Sequence, residues 1–429
     1  MIKYIFPFLF LGSFLAKGQI NVNTIADLPE KVSNNAVSEG FNNGKTYLYS
    51  FGGIDSTKLY SGIHLKSWRY NVDDDVVEIL PNLPDTLGKI AMGASRIGDI
   101  IYIVGGYHVY SNGSELSSDK VHRFHIPSNN FLTDAEPIPV ATDDHIQGVW
   151  NDSLLYVITG WSDVGNIDDV QIYDPVSNSW HAGTDIPHPT YRSFGGSGTI
   201  VGDTIYYFGG ARSTGNFSIQ NDLRKGVINP QNPLEINWTI SKPNPNIAGY
   251  RMACTSVNGE VHWIGGSNDT YNYNGIAYNG SGGVSPNNRD LFLALQDDQT
   301  FQETSHSFDI PMDLRGVAKE NENTQYLIGG MENNQSVSSK IIKLTWQTDP
   351  VSIVEVENSD VNALVVQNKI LEFTAKNNGH IHVVNTLGQI IWSQTYKKGE
   401  NQLSLNHLSG GIYFITLENG GIGYKVLVK

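Results

Sequence analysis

Short apolar runs recur along the chain, and each ends in glycine. "YLYSFGG" (Tyr47–Gly53), "IIYIVGG" (Ile100–Gly106), "TIYYFGG" (Thr204–Gly210), "EVHWIGG" (Glu260–Gly266) and "TQYLIGG" (Thr324–Gly330) end in two, and "LLYVITG" (Leu154–Gly160) is a degenerate sixth copy. Runs this short, rich in β-branched and aromatic residues, predict strands rather than helices. A second apolar strand precedes each run. In five copies the two are joined by a turn pair: Asn43-Gly44, Gly98-Asp99, Asn151-Asp152, Gly202-Asp203 and Asn258-Gly259. Such pairs accept positive φ and close two-residue hairpins. After the glycines comes a variable polar loop, then a third strand bearing an aromatic, as in "SWRYNV" (Ser67–Val72), "VHRFHI" (Val121–Ile126) and "VQIYDP" (Val170–Pro175). A fourth short strand closes on Leu/Ile-Pro, clearest in "SWHAGTDIP" (Ser179–Pro187). Four short antiparallel strands repeated about every 50 residues predict the blades of a propeller.

Gly52, Gly53, Gly105, Gly106, Gly160, Gly209, Gly210, Gly265, Gly266, Gly329 and Gly330 are read as structural. At the end of the second strand the backbone turns sharply beside a neighbouring blade, and a residue without Cβ permits both the turn and the approach. The double glycine, the downstream "YDP", Trp180 and the Leu/Ile-Pro ending resemble kelch repeats over roughly Gln19 to Gln347. The resemblance implies an all-β, six-bladed kelch-type β-propeller. Its closure is legible at the two ends. "INVNTIADLP" (Ile20–Pro29) reads as a fourth strand with no first three before it, and the last copy has a third strand, "SKIIKLTW" (Ser339–Trp346), with no fourth after it. The N-terminal strand is therefore expected to complete blade six and remove both sheet edges.

Beyond Gln347 the spacing changes to closely packed short strands, which predict a small β-sandwich. "VVNTLGQII" (Val383–Ile391), "LSGGIYFITLENG" (Leu408–Gly420) and the ending "KVLVK" (Lys425–Lys429) resemble the C-terminal sorting domain of the type IX secretion system of Bacteroidetes. That resemblance implies export to the outer-membrane surface or the medium, with the type IX machinery as a partner and removal of the tail. The N-terminus fits the same route: Lys3, an apolar run from Ile5 to Leu15, and Ala16-Lys17-Gly18 make a signal peptide with cleavage expected after Gly18. The expected organisation is signal peptide 1–18, propeller 19–347, linker 348–360 and sorting domain 361–429.

Composition narrows the function. The formal charge of −15 over 429 residues, with no basic cluster, disfavours nucleic acid as a partner. A single cysteine, Cys254, excludes an internal disulfide and thiolate metal clusters. His122 and His125 are three apart in a strand and so face opposite sides. No metal or cofactor is expected.

Loops on one rim of a rigid scaffold are where a ligand is expected. The loops from a fourth strand to the next first strand carry Lys89, His145, Arg192, Arg251 and Arg315. Around a channel mouth these would make a cationic ring suited to a carboxylate, or else tie blades together through backbone carbonyls. The loop after the fifth double glycine, Ser267–Asn288, is the longest and holds Tyr271, Tyr273 and Tyr278 among asparagines. These, with Trp161, offer stacking faces for a sugar. The reading favoured by the residues is a surface binding module for a glycan or protein ligand, monomeric after processing. Two alternatives stay open. The resemblance to secreted kelch proteins implies a sugar-acid epimerase of the N-acetylneuraminate type, for which the residues pick out no general base. The other alternative is a structural or adhesive role.

Overall fold

The computed structural model describes residues 20–346, apart from 164, 188–190, 296–299 and 306, and residues 361–428, apart from 368–369, 386–389, 406–407, 409–410 and 418–423. The expected signal peptide and linker lie outside the described residues, as do parts of the tail motifs. The described residues fall into two compact units, one within Lys17–Gln347 and one within Thr348–Lys429. Both are built of strands, with no α-helix among the described residues.

The first unit is a six-bladed propeller. Each blade is built on four antiparallel strands, to which blade two adds a short fifth, Glu115–Ser117; in blades one to five the four run outward in sequence order. The innermost strands are Ala36–Asn42, Ile90–Ile97, Ile146–Trp150, Ser197–Val201, Ala253–Val257 and Ala318–Asn321. Blade six takes its outermost strand, Ile20–Asp27, from the N-terminus. It pairs antiparallel with Lys340–Trp346 in a register running from Ile20 opposite Trp346 to Asp27 opposite Lys340.

The hydrophobic core is not one mass but a seam between each pair of neighbouring blades. In blade one, Tyr47, Tyr49 and Phe51 face Ile101, Ile103 and Phe124 of blade two. Leu48, between them in sequence, faces Tyr326 and Ile328 of blade six. A strand alternates faces, so a second strand buried against both neighbours takes apolar residues on both faces. That is why these runs read as mostly continuous apolar segments, broken only at buried Ser50, His262 and Gln325.

The glycine pairs serve the seams directly. The N–H of the second residue donates to a carbonyl of the next blade's entry loop in all six copies: Gly53 to Lys89, Gly106 to Thr142, Gly160 to Ser193, Gly210 to Gly249, Gly266 to Pro311 and Gly330 to Val32. A Cβ on the preceding residue would meet the same loop, at 2.1 Å from the Thr142 carbonyl oxygen for Gly105. In the degenerate copy Thr159 takes that position at φ 49°. Its Oγ1 donates toward the carbonyls of Ile167 and Ser193 and accepts from the Ser193 N–H, which anchors the loop by side chain.

Comparing two glycines isolates this effect. Gly98, in a hairpin turn at φ 55°, has nothing within 4 Å of an added Cβ. Gly98→Ala is expected to cost about 1–2 kcal/mol, from the left-handed backbone alone. Gly105→Ala, at φ 63°, adds a backbone clash and is expected to cost about 2–5 kcal/mol. Chemical denaturation of the two variants measures the difference; equal losses would show that the backbone angle alone selects glycine.

The second unit has two sheets, Val361–Gln367, Ile370–Ala375 and Gly399–Ser404 in one, and Ile390–Tyr396, Gly379–Val384, Gly411–Leu417 and Tyr424–Val428 in the other. Leu371, Phe373, Ile381, Val383, Leu405 and Ile415 form its core. This is the small β-sandwich expected from the sequence.

Candidate functional site

Six inner strands around an axis leave a hole that the chain must fill or line. In the entry segment of each inner strand one residue adopts a left-handed backbone: Asn34, Ala91, Asp144, Gly195, Arg251 and Asp313, with φ of 55°, 58°, 48°, 63°, 46° and 63°. Their backbones form a closed ring of hydrogen bonds. The N–H of Asn34 donates to the Asp313 carbonyl (3.3 Å), Ala91 to Asn34 (3.3 Å), Asp144 to Ala91 (3.1 Å), Gly195 to Asp144 (2.8 Å) and Arg251 to Gly195 (2.8 Å). The N–H of Leu314 completes the circuit by donating to the Arg251 carbonyl (3.0 Å). Five of these six residues are not glycine, so the ring holds the backbone in a strained region.

The ring side chains fill the axis. Arg251 of blade five donates from Nε and Nη2 to both oxygens of Asp144 in blade three (3.1 and 2.5 Å) and from Nη1 to Asp313 of blade six (2.9 Å). Arg315 adds a second guanidinium on Asp144 (3.1 Å) and donates to the His145 carbonyl (2.9 Å). The Ser33 hydroxyl donates to the other oxygen of Asp313 (2.7 Å). Arg251 is 1% exposed and lies 5.1 and 5.4 Å from the ring centres of Tyr250 and Tyr271. Burial works against every charge here. Arg251 and Arg315 more than offset it at Asp144, whose carboxyl stays below the usual range, and Asp144 holds Arg251 well above its own.

The ring is a partition. On one side the inner strands enclose a channel of about 320 Å³, lined by Gln147, Ser197, Ser256 and Lys319 among others, with His145 and Arg315 beside the ring. On the other lies a pocket of about 420 Å³ whose floor is Asp144 and Arg251. One wall of that pocket is aromatic: Trp161 meets Phe194 and Phe217 edge-on at 5.4 and 5.5 Å, and Phe217 lies 4.6 Å from Tyr278. Beside it the lining is acidic: Asp143, whose backbone pairs with that of Trp161 in an antiparallel bridge, lies with Asp163 and Glu115 around Ser117. Ser117 donates its hydroxyl to Asp143 Oδ2 (2.7 Å), and its N–H donates to Asp163 Oδ1 (2.9 Å). Asp143 is 4% exposed. Burial first, then the neighbouring Asp144, push its carboxyl well above the usual range.

The residues singled out from the sequence are dispersed by this geometry. Of the five loop cations only Arg251 stands at a ring position. Lys89 lies two residues before Ala91, Arg192 three before Gly195, and Arg315 two after Asp313. Lys89 is fully buried between blades one and two, against Asp85 (2.7 Å), Ser118 and His122. Arg192 donates to the Asn166 carbonyl (3.0 Å). His145 is buried and held near neutrality, its pKa lowered to about 4 by burial, with its Nε2–H donating to Gln147 (3.0 Å). The expected cationic ring is thus corrected to a neutralised plug, because buried guanidinium groups required Asp144 and Asp313 beside them. The tyrosines also divide. Tyr271 is fully buried beneath Arg251, Tyr273 packs beside Ile54 and Tyr107, and Tyr278 reaches the pocket with Trp161. Asp143, Asp144, Asp313 and Glu115 went unremarked in the sequence. For Asp143, Asp144 and Asp313 the signal was the entry segment ahead of the inner strand, Asp143-Asp144-His145 and Met312-Asp313-Leu314, with Ser33-Asn34-Asn35 and Tyr250-Arg251-Met252 at the same place in blades one and five.

Comparison with known proteins agrees with this architecture. Residues 363–429 match the family model described as a secretion system C-terminal sorting domain. Kelch-like protein 36 of Mus musculus is 25% identical over 173 residues, covering 40% of this chain and 26% of that protein. Kelch-like protein 23 of Pongo abelii is 32% identical over 116 residues, covering 27% of this chain and 19% of that protein. The solved structure of YjhT superposes with a TM-score of 0.59 at 14% identity, covering 75% of this chain and 99% of that one. The chain is a kelch-type propeller that carries a secretion sorting tail. The tail assigns this kelch protein to the type IX route, and so to the outer-membrane surface or medium of a Bacteroidetes cell. The chain spans about a quarter or less of the length of these two curated relatives, so their likeness bears on the propeller alone.

Proposed function

We propose that this exported kelch propeller is a binding module whose ligand is a sugar, held in the pocket above the ring. The observation that carries the reading is the mixed lining of one pocket: the aromatic residues Trp161, Phe217 and Tyr278 together with the acidic residues Asp143, Asp163 and Glu115. An aromatic face covers the apolar C–H face of a sugar ring, while carboxylate oxygens accept from its hydroxyls. A pocket of about 420 Å³ is within the size range of small-ligand sites. The sugar-acid epimerase reading needs a guanidinium free to take a carboxylate, and Arg251 already holds Asp144 and Asp313.

Titration calorimetry of the full chain against a panel of neutral monosaccharides and short oligosaccharides tests the reading. Trp161→Ala is expected to weaken any sugar that binds by about tenfold, or about 1.4 kcal/mol. Unchanged affinity in that variant would place the ligand elsewhere.

A further inference from the structure

The charge of the pocket is unbalanced. Glu115, Asp143, Asp144 and Asp163 line it, against one guanidinium, and that guanidinium is already bound by Asp144 and by Asp313 behind it. No lysine or histidine is among the described residues lining it. Asp143 is the exceptional member. It is more than nine-tenths buried, Ser117 occupies its Oδ2, and its Oδ1 has no hydrogen-bond partner among the described residues. A buried carboxyl oxygen left without a partner is costly. Next to it Trp161, Phe217 and Tyr278 line the same pocket, and the faces of aromatic rings attract a cation and not an anion.

From Asp143, its acidic neighbours and the aromatic wall we infer that the pocket selects a sugar bearing a protonated amine, an amino sugar, whose ammonium sits against Asp143. The inference rests on the sugar-pocket reading above and adds the charge of the ligand. Three N–H donors on one ammonium match what the acidic wall lacks, while the sugar ring lies on the aromatic wall. An N-acetylated or acidic sugar of the same size loses this pairing.

Binding is then linked to pH. Burial and the negative neighbours Asp144 and Glu115 keep the proton on Asp143, with Ser117 and Arg251 opposing them. An ammonium favours the charged carboxylate, so binding expels that proton and affinity rises with pH until the ligand amine itself deprotonates.

The test uses the full chain and five probes: glucosamine, N-acetylglucosamine, glucose, glucuronic acid and choline, titrated calorimetrically at several pH values. Glucosamine is expected to bind at least about tenfold tighter than glucose and N-acetylglucosamine, a difference of about 1.4 kcal/mol. In Asp143→Asn this preference and the acid limb of its pH profile should disappear, with weak glucose binding retained. Glu115→Gln, at the exposed rim, should reduce the preference in part and serves if the first variant fails to fold. Equal affinity for glucosamine and glucose would overturn the inference and leave the sugar reading standing. Choline binding without any sugar binding would sustain the cation site and overturn the sugar reading. Absence of binding by all five would overturn both.

Discussion

Replacing Arg251 with alanine is expected to destabilise the propeller by about 3–5 kcal/mol, the range for stripping one partner from a buried ion pair. The variant leaves Asp144 and Asp313, which are 2% and 1% exposed, facing each other across the axis with a cavity between them. Arg315 still reaches Asp144 at 3.1 Å but nothing replaces the contact to Asp313. Arg251→Lys should recover only part of the loss. One ammonium cannot make the two parallel contacts to Asp144 and a third to Asp313. Urea denaturation followed by near-ultraviolet circular dichroism reports the transition of the aromatic-rich seams. A loss below about 1 kcal/mol in Arg251→Ala would show that the backbone ring and the blade seams hold the axis without the ion pairs.

Deleting Ile20–Pro29 is expected to abolish the cooperative melt of the propeller and to cause self-association. The strand contributes the outer edge of blade six. Buried Ile20 and Leu28 anchor it, and the N–H of Leu28 donates to the Ser339 carbonyl at 2.7 Å. Each such side chain contributes about 1.5–3 kcal/mol when fully buried. Its loss also bares the whole row of hydrogen-bonding groups on Lys340–Trp346, an open template for another chain. Differential scanning calorimetry and size-exclusion chromatography check the two parts. An unchanged melt with monomeric elution would show that a propeller open at this edge is stable by itself.

The two parts of the molecule were unequally legible in the sequence. Blade number, strand order and closure follow from local chemistry. A double glycine needs no partner to announce a left-handed turn, and a strand such as Thr204–Phe208 needs none to announce burial on both faces. The likeness of the tail to a sorting domain rests in the same way on short contiguous motifs. The site was not legible at that level. Lys89, Arg192 and Arg315 share with Arg251 a place ahead of an inner strand, yet their offset from the ring position sends Lys89 to Asp85 and Arg192 to a backbone carbonyl, while Arg315 joins Arg251 at Asp144.

What the sequence by itself determined is the repeat: six copies of one unit, each stating its strands, turns and neighbour contacts within about 50 residues. What only the tertiary structure decided is the centre. Asp144 and Arg251 are 107 residues apart, and Ser33 and Asp313 are 280 apart. Closing the ring brings them to hydrogen-bond distance, and burial then forces each guanidinium onto a carboxylate. Asp143 escapes that pairing because it stands one residue off the ring, and Ser117 rather than a cation meets it there. Local sequence fixes backbone preference, which acts over a few residues. The partner of a buried charge is set by which side chains the closed axis leaves within about 4 Å, where electrostatic pairing takes effect.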